Sequence, residues 1–312
     1  MRAAGIRRIG GPIELLDISE PPAPKPDELV IDVYAAGVAN WDDIVRRGGW
    51  DVGTSPPMAL GVEAAGTVRA VGSDVSRFRV GDEILTHSFP LRYQGAWAEE
   101  FVAPESHVAP KPPRMDRQLA GLFPVPALIA HQALQRLGVK TGDQVLVNGA
   151  GGMTGSMLVA VAVQRSLRVI AVAGSRSAGR VKAFGASTVL DYRDAGWMRE
   201  AQRLAGNRLS YVVNAVPGSA SSLMGLIADD GRLVTITSDP PDSERGIVVT
   251  NLYVTPDGNS LDRMATEFVG KGLALPVAAV YGLGEAGKAL SEAVAGSEAG
   301  GLVIDPRQAL SR

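Results

Sequence analysis

Residues 145–155 read VLVNGAGGMTG, an apolar run that leads into a glycine-rich turn. The apolar run belongs to a strand predicted over Gln144–Asn148, and a helix is predicted over residues 156–164. Glycines let the chain turn tightly and let its backbone approach a pyrophosphate, while the helix N-terminus supplies N–H groups and the positive end of a dipole. Gly149, Gly151 and Gly155 are spaced G-x-G-x-x-x-G, which differs from the regular G-x-G-x-x-G. The stretch predicts a dinucleotide-binding turn, and a strand–helix turn without a ligand is the alternative.

The residues after the next strand, predicted over residues 168–173, indicate which dinucleotide binds. Chains that bind NAD place Asp or Glu here, about 20 residues after the glycines, where the carboxylate binds the ribose 2′-hydroxyl. In this chain Ser175 and Arg176 follow the strand, and no acidic residue occurs until Asp191. A hydroxyl and a guanidinium suit a 2′-phosphate, and Arg180 adds a second cation one helical turn later. We therefore predict NADP(H) as the cofactor; the alternative is that both arginines belong to an ordinary solvated helix start.

Strands and helices alternate on both sides of the glycine turn. Helical stretches are predicted within residues 115–137, interrupted at Pro124 and Pro126, and another helix is predicted over residues 178–184. Apolar strands that alternate with helices indicate βαβ units and a parallel sheet buried on both faces. The other strands predicted in this part of the chain are residues 188–190, 211–213 and 232–236.

The first third of the chain has a different pattern, with short strands separated by Gly and Pro. This spacing indicates a compact β-rich domain, and residues 278–305 return to a strand–helix–strand pattern that we assign to the same domain. We therefore expect an α/β protein in which residues 1–115 and 272–312 form the β-rich domain, and residues 116–271 form a doubly wound parallel-sheet domain. The strands predicted in the first third are residues 29–34, 64–71, 81–85 and 98–102.

Composition restricts the classes of function. The chain has 312 residues, of which 46% are hydrophobic and 21% are charged, and its formal net charge is -2. These values suit a soluble globular protein and give no electrostatic reason to expect nucleic acid or an anionic membrane as a partner. The sequence contains no cysteine, which excludes disulfides, thiolate metal ligands and a catalytic thiol. Neither a targeting segment nor an apolar run long enough for a bilayer is visible, so we expect a cytoplasmic protein.

An ordered series of short motifs resembles the medium-chain dehydrogenase/reductase family over nearly the whole chain. The resemblance implies a GroES-like β-rich domain, a Rossmann dinucleotide-binding domain, and hydride transfer between a nicotinamide cofactor and a small-molecule substrate. The order of the motifs is more specific than any one of them. They are AAGV at 35–38, GVEAAGTV at 61–68, VG at 71–72, VGDE at 80–83, GAWAE at 95–99, LDY at 190–192, GRLV at 231–234 and VTPDG at 254–258.

Within this family, the chain resembles the zinc-free, quinone-oxidoreductase-like branch. The zinc-dependent branch binds its catalytic metal through a Cys and through the His of a Gly-His-Glu motif, and here those two positions hold Ala39 and Val62. A catalytic zinc needs about three protein ligands, and His87, His107 and His131 lie in unrelated positions. The resemblance therefore implies activity without a metal site.

The chain also departs from the zinc-free pattern at four places. Gly301 replaces the lysine usual just before the last strand. Met153 and Thr154 replace a glycine and a valine of the usual loop. Asn214 stands where an Asp is expected after the fourth Rossmann strand. The Asn that many relatives place near the nicotinamide aligns with Ala39, and Asn40 follows one residue later.

Candidate substrate contacts lie in the segment Asn40-Trp41, which resembles the substrate-side loop of the family. Asn40 offers an amide N–H to an acceptor oxygen that gains negative charge, and Trp41 offers a wall for a flat acceptor. Packing of Trp41 in the core is the alternative. The further candidates are Trp50 as a second wall, Tyr93 and Tyr253 as hydrogen-bond donors, and Asp42 as a cap for a helix over residues 43–47. The predicted cofactor-binding residues are Gly149, Ala150, Gly151, Gly152, Met153, Thr154, Gly155, Ser175, Arg176, Arg180, Tyr192, Asn214, Val216 and Thr235.

These observations predict an NADPH-dependent, zinc-independent oxidoreductase that transfers hydride to a quinone or an α,β-unsaturated carbonyl compound. The alternatives are an enoyl reductase of a biosynthetic pathway and a non-catalytic NADPH-binding protein. A Rossmann-like methyltransferase also has a glycine loop, but it would not explain the GroES-like first third.

We also predict a homodimer. Residues 246–254 read GIVVTNLYV, an apolar segment expected to form the last strand of the parallel sheet. Such an edge strand exposes unpaired N–H and C=O groups. The resemblance implies that a second subunit covers them, because zinc-free relatives pair this edge with its copy in a dimer. Protection of the edge by Pro240, Pro241 and the charged loop 242–245, leaving a monomer, is the alternative.

Overall fold

The computed structural model describes residues 1–296 and 300–308, and the chain forms two compact units. The first unit comprises Met1–Val125 together with the described residues from Thr255 onward, and the second comprises Pro126–Val254. The predicted α/β fold class, with one β-rich unit and one parallel-sheet unit, is confirmed.

The secondary structure elements are numbered in chain order. As far as α2 they are β1 (Arg2–Ile6), β2 (Glu14–Asp17), β3 (Glu28–Val38), α1 (Asn40–Arg46), β4 (Met58–Ala59), β5 (Glu63–Val71), β6 (Glu83–His87), β7 (Glu100–Pro104), β8 (Val108–Pro110) and α2 (Arg117–Leu122). Then come α3 (Pro124–Leu137), β9 (Gln144–Asn148), α4 (Met153–Gln164), β10 (Arg168–Val172), α5 (Ser175–Ala183), β11 (Thr188–Leu190), α6 (Trp197–Leu204), β12 (Leu209–Asn214), β13 (Ile227–Thr235) and β14 (Val248–Asn251). The last described elements are α7 (Gly258–Gly270), β15 (Val277–Gly282), α8 (Ala286–Ala295) and β16 (Gly301–Asp305).

The larger sheet of the first unit is built around β3, most of whose residues are buried. β5 pairs with one edge of β3, while β7 and β16 share the other edge. The strand order is β15-β16-β3-β5-β6-β8, and β2, β1 and β4 form a second, antiparallel sheet. The C-terminal segment, predicted as strand–helix–strand, thus completes the sheet whose central strand leads into α1.

Two helices within residues 116–271, the range that the sequence assigned to the parallel-sheet domain, belong to the first unit. α2 packs on β3 and β5, and a Cβ on Gly121 would lie 2.6 Å from the Cβ of Ala35. α7 packs against β8, and Phe268 of α7 meets Phe123 edge-to-face with 5.2 Å between ring centroids. The unit boundaries lie at 125/126 and 254/255, whereas the predicted ones were 115/116 and 271/272. The change from strands to helices along a sequence marks where helices begin, but it does not indicate which sheet they cover.

One continuous helix, α3, occupies the region where helical stretches interrupted by prolines were predicted. α3 begins at Pro124, so Pro124 and Pro126 both lie in its first turn. Proline is tolerated there because the N–H that it lacks would have no acceptor within the helix. The two prolines therefore begin the helix and do not interrupt it.

The second unit has one six-stranded sheet in the order β11-β10-β9-β12-β13-β14, and every neighbouring pair is parallel. This is the 3-2-1-4-5-6 order of a doubly wound sheet. The interior strand β9 contributes fully buried Val145, Leu146 and Val147 to the core. The strand order reverses between β9 and β12, and the crevice at the carboxyl ends of two such strands is the usual ligand position in this architecture. The described part of the chain contains no helix with the length and apolar character needed to cross a membrane.

Candidate functional site

In the turn after β9, two glycines lie so close to neighbouring atoms that a side chain at either position would not fit. Gly149 has φ +84°, and a Cβ there would lie 2.7 Å from Cγ2 of Val216. A Cβ on Gly155 would lie 2.1 Å from the carbonyl oxygen of Gly149. The N–H groups of Gly149 and Ala150 both donate to the carbonyl of Val172, at 3.2 and 2.9 Å. The turn is therefore held against β10 at one end and against α4 at the other.

The N-terminus of α4 presents backbone donors at this turn. Its N-cap is Gly152, which has no side chain to bond the first-turn N–H groups, and these groups have no acceptor within the helix. The first bond that closes the helix runs from the N–H of Ser156 to the carbonyl of Gly152, at 2.8 Å. The hydroxyl of Ser156 donates to the carbonyl of Ala150, at 3.0 Å. First-turn N–H groups and the helix dipole suit the diphosphate of a dinucleotide, so the geometry of the turn fits this class of cofactor.

Residues from β10 and β11 meet at the end of the sheet next to this turn. Ser175 and Arg176 are exposed at the start of α5, and Tyr192, which follows β11, is 50% exposed. Nη1 of Arg193 lies 3.4 Å from the hydroxyl of Ser175, and the Arg193 guanidinium stacks over the ring of Tyr192, 4.9 Å from its centroid. A Cβ on Gly174 would lie only 3.1 Å from the same Nη1.

Arg193 is a further candidate, which the sequence alone did not identify. It is far from Ser175 along the chain, but β10 and β11 are parallel neighbours, and Val172 is paired with Leu190. The carboxyl ends of parallel neighbours lie at the same edge of the sheet, which brings the residues after each strand together. A basic residue after the third strand of the unit is the signal that could have identified it.

Arg180 does not join this group. Its Nη2 donates to the carbonyl oxygen of Gly151 at 2.6 Å, within the glycine turn itself. Ser177 also approaches the turn, since a Cβ on Gly151 would lie 2.4 Å from its hydroxyl oxygen. The two arginines that the sequence assigned to one phosphate therefore differ, with Arg176 exposed and Arg180 on the turn.

A hydrogen-bond network links the carboxyl ends of β9, β12 and β13. Nδ2 of Asn148 donates to Oδ1 of Asn214 at 2.9 Å, and the N–H of Val216 donates to the same oxygen at 3.2 Å. Nδ2 of Asn214 donates to the hydroxyl of Thr235 at 3.3 Å and to that of Thr237 at 3.2 Å. Nδ2 of Asn214 also donates to the carbonyl of Val216 at 3.1 Å, a bond that an Asp carboxylate at this position could not make. Val216 remains 36% exposed beside the turn.

In the first unit, Asn40 and Trp41 form the first turn of α1. Asn40 is exposed and Trp41 is partly buried. Asp42 accepts a hydrogen bond from the N–H of Ala39 at 2.9 Å, so it does help to cap a helix, although that helix begins at Asn40 and not at residue 43. Among the other candidates, the hydroxyl of Tyr93 donates to the carbonyl of Ser19 at 3.2 Å. Tyr253 belongs to the second unit and is 56% exposed.

Two carboxyl groups of the first unit are buried. Asp42 is 1% exposed and Glu63, at the start of β5, is 3% exposed. Burial raises the pKa of Asp42 to about 7, against the hydrogen bonds from Ala39 and Gly61. Burial raises the pKa of Glu63 to about 8, against a 2.8 Å bond from the N–H of Val125, and the nearby Asp42 raises it further. Two buried carboxyls next to each other cannot both ionise easily, so the pair retains a proton near neutral pH.

The positions that would hold a zinc ion in the other branch of the family flank these carboxyls. Ala39 and Val62 offer no metal ligand, and within residues 1–296 and 300–308 no group of three or more His, Cys, Asp or Glu side chains is placed to hold a metal. Nδ1 of His87 lies 3.0 Å from the carbonyl of Val62, Nδ1 of His107 lies 3.3 Å from the hydroxyl of Ser88, and Nδ1 of His131 lies 2.8 Å from Arg165.

Known proteins resemble this chain across both units. Residues 25–113 match the family described as "Alcohol dehydrogenase GroES-like domain" and residues 184–304 match the family described as "Zinc-binding dehydrogenase". The "Quinone-oxidoreductase homolog, chloroplastic" of Spinacia oleracea is 31% identical over 234 residues, which are 70% of this chain and 69% of that protein.

Solved structures extend this similarity to three dimensions. A mycobacterial protein complexed with NADPH has a TM-score of 0.85 and 27% identity, and the match covers 98% of this chain and 100% of the other. The Escherichia coli quinone oxidoreductase complexed with NADPH has a TM-score of 0.86 over 98% of this chain and 100% of the other. Its identity is 20%, so this second similarity concerns the fold alone.

We predict that the carboxyl pair makes stability depend on pH. The unfolded chain releases both protons near pH 4, whereas the folded chain holds them until about pH 7 at Asp42 and about pH 8 at Glu63. The contribution of the pair to the free energy of unfolding is therefore fully present below pH 4 and is lost as the pH rises to about 8. Asp42→Asn and Glu63→Gln should each flatten this fall, measured by urea unfolding from pH 4 to 9.

Asp242→Asn is the control, since Asp242 is exposed. This control should reproduce the pH dependence of the wild type. If Asp42→Asn and Glu63→Gln also follow the wild-type curve, the carboxyls do not retain protons in the folded chain.

Proposed function

The chain belongs to the medium-chain dehydrogenase/reductase family, in its quinone-oxidoreductase-like branch, and we propose that it is an NADPH-dependent oxidoreductase that works without zinc. We propose a quinone or an α,β-unsaturated carbonyl compound as the acceptor. The observation that carries the proposal is the glycine turn, where a Cβ at Gly149, Gly151 or Gly155 would collide with its surroundings. Such a turn before an uncapped helix N-terminus suits a diphosphate.

The choice of NADPH rests on the group at the ends of β10 and β11. The hydroxyl of Ser175, the guanidinium of Arg193 and the exposed ring of Tyr192 lie together, and Arg176 is exposed in the same first turn of α5 as Ser175. Guanidinium and hydroxyl groups bind phosphate oxygens, whereas an NAD site offers a carboxylate at this point. We assign Ser175, Arg176, Tyr192 and Arg193 to the 2′-phosphate.

The bound nicotinamide would supply the hydride, and the chain would contribute position and hydrogen bonds. On the acceptor, oxygen gains negative charge as hydride arrives, and an N–H donor stabilises that charge. We assign this role to the exposed side-chain amide of Asn40, with Trp41 beside it as a flat contact for the acceptor. Ala39 and Val62 leave no ligand set for zinc, so in this proposal hydrogen bonding does the work that a Lewis acid does in the zinc-dependent branch.

The function is tested by NADPH oxidation with a panel of quinones and enones, before and after dialysis against a strong chelator. We expect turnover with at least one acceptor and no loss on dialysis. Asn40→Ala should lower kcat by about 10²-fold, because it removes the donor to the developing oxyanion. Asn259→Ala is a matched control, since Asn259 is also exposed in the first turn of a helix of the same unit. NADPH binding without reduction of any acceptor would instead identify a non-catalytic NADPH-binding protein.

Cofactor selection is tested with Arg193→Ala and Arg176→Ala. Each removes a charge-assisted contact of about 1.5–3 kcal/mol, so NADPH should bind roughly 10- to 100-fold more weakly while NADH binding stays unchanged. Arg199→Ala removes an exposed arginine of α6 and should change neither affinity. Fluorescence titration measures both dissociation constants, and an equal loss for the two cofactors would contradict the assignment.

We further propose a homodimer formed through β14, which lies at the edge of the parallel sheet. Val248 on this strand is 51% exposed, and Tyr253 just after it is 56% exposed. Pairing of two edge strands would satisfy backbone groups and bury these side chains. Light scattering at micromolar concentration should give about twice the chain mass of 32.6 kDa, and Val248→Asp should lower it to that of one chain. Val80→Asp, at a 63% exposed position of the first unit, should not. A wild-type mass near 32.6 kDa would exclude the dimer.

A further inference from the structure

Arg180, one of the predicted cofactor residues, contacts the glycine turn directly. It lies in the second half of α5, and its Nη2 donates to the carbonyl oxygen of Gly151 at 2.6 Å. Its Nε–H is buried and has no hydrogen-bond acceptor within residues 1–296 and 300–308. The neighbouring Lys182, by contrast, is exposed on the same helix.

The contact with Gly151 fixes the peptide between Gly151 and Gly152, the N-cap residue of α4. A peptide unit is planar, so the carbonyl of Gly151 and the N–H of Gly152 point in opposite directions and turn together. Arg180 holds the carbonyl side of this peptide, and the N–H of Gly152 donates to the carbonyl of Gly149 at 3.2 Å. Because glycine has wide backbone freedom, these two bonds limit the conformations open to Gly151 and Gly152. The first-turn N–H groups of α4 are thereby held in one orientation.

The charge of Arg180 acts at the same place. Burial lowers the pKa of this guanidinium, and no charged group in the described chain contributes to the shift. An arginine nevertheless stays protonated at any physiological pH. A partly desolvated cation beside the turn adds to the positive end of the α4 dipole, and both favour an anion at the turn.

The position of Arg180 separates it from the group at Ser175. The hydroxyl of Ser175 is contacted by Arg193, whereas Arg180 is directed to the backbone of the turn. A residue that supports the turn should affect every ligand that carries a diphosphate. A residue that contacts the 2′-phosphate should affect only ligands that carry that group.

We propose that Arg180 is a positioning residue of the dinucleotide site: by holding the carbonyl of Gly151, it fixes the turn that receives the diphosphate and does not select the 2′-phosphate. This inference rests on the proposed function only in requiring that the chain binds a dinucleotide. It reassigns Arg180 from cofactor selection to general cofactor affinity.

The test compares three ligands, NADPH, NADH and adenosine 2′-monophosphate, by titration calorimetry on the full chain. Arg180→Met should weaken NADPH and NADH by the same factor, about tenfold or more, and leave adenosine 2′-monophosphate unchanged, since that ligand has no diphosphate. Arg180→Lys should recover much of the loss, because it keeps the charge and one donor. Arg180→Gln, which keeps a donor without the charge, should fall between them. Lys182→Met is the matched control on α5 and should bind all three ligands like the wild type.

The outcomes separate the two assignments. Loss of NADPH and adenosine 2′-monophosphate binding with NADH binding retained would overturn the inference and return Arg180 to the 2′-phosphate. Unchanged binding of all three ligands by Arg180→Met would overturn it as well. If Arg180→Met does not fold, as judged by thermal melting, Arg180→Lys and Arg180→Gln carry the same comparison. A wild-type chain that binds both dinucleotides but reduces no acceptor would refute the proposed function and leave this inference standing.

Discussion

A Cβ on Gly155 would lie 2.1 Å from the carbonyl oxygen of Gly149, so α4 can begin where it does only because residue 155 is glycine. This close approach brings the first turn of α4 against the end of β9, at the point where the strand order of the sheet reverses. The uncapped N–H groups of the helix then lie at the crevice where doubly wound sheets bind ligands. The hydrogen bonds from Ser156 and Arg180 to the turn stabilise this close approach of α4 to the end of β9.

In the first unit, two buried carboxyl groups hold segments of the chain together. Asp42 ties the start of α1 to Ala39, and Glu63 ties the start of β5 to Val125. Both groups are almost completely buried, and their pKa values are raised by that burial. They lie next to the positions that hold metal ligands in zinc-dependent members of the family. Ala39 and Val62 occupy those positions here. Because burial favours the neutral form of a carboxyl group, we expect the pair to retain a proton near neutral pH while it holds the segment that carries Asn40.

The predictable parts of this protein are those that depend on residues close together in the chain. The pattern VLVNGAGGMTG specified strand, turn and helix, because each step follows from local hydrophobicity and from backbone freedom at glycine. Pro124 and Pro126 show the limit of local reasoning. A proline that begins a helix and one that interrupts it look the same in sequence, and only the register of the helix tells them apart. α2 and α7 show the same limit, since both lie within residues 116–271, which the sequence assigned to the parallel-sheet domain, but pack in the first unit.

By itself, the sequence determined the alternation of strands and helices, the glycine turn between β9 and α4, the absence of thiol chemistry, and the presence of Ala39 and Val62 where zinc-dependent relatives have metal ligands. Each of these is a property of residue type and spacing. The tertiary structure alone decided which side chains meet: Arg193 reaches Ser175 because β10 and β11 are parallel neighbours, while Arg180 bonds Gly151 although it follows Arg176 on the same helix. The physical reason is that hydrogen bonds depend on distances of about 3 Å, and such distances between residues far apart in the chain are set by strand pairing and helix packing.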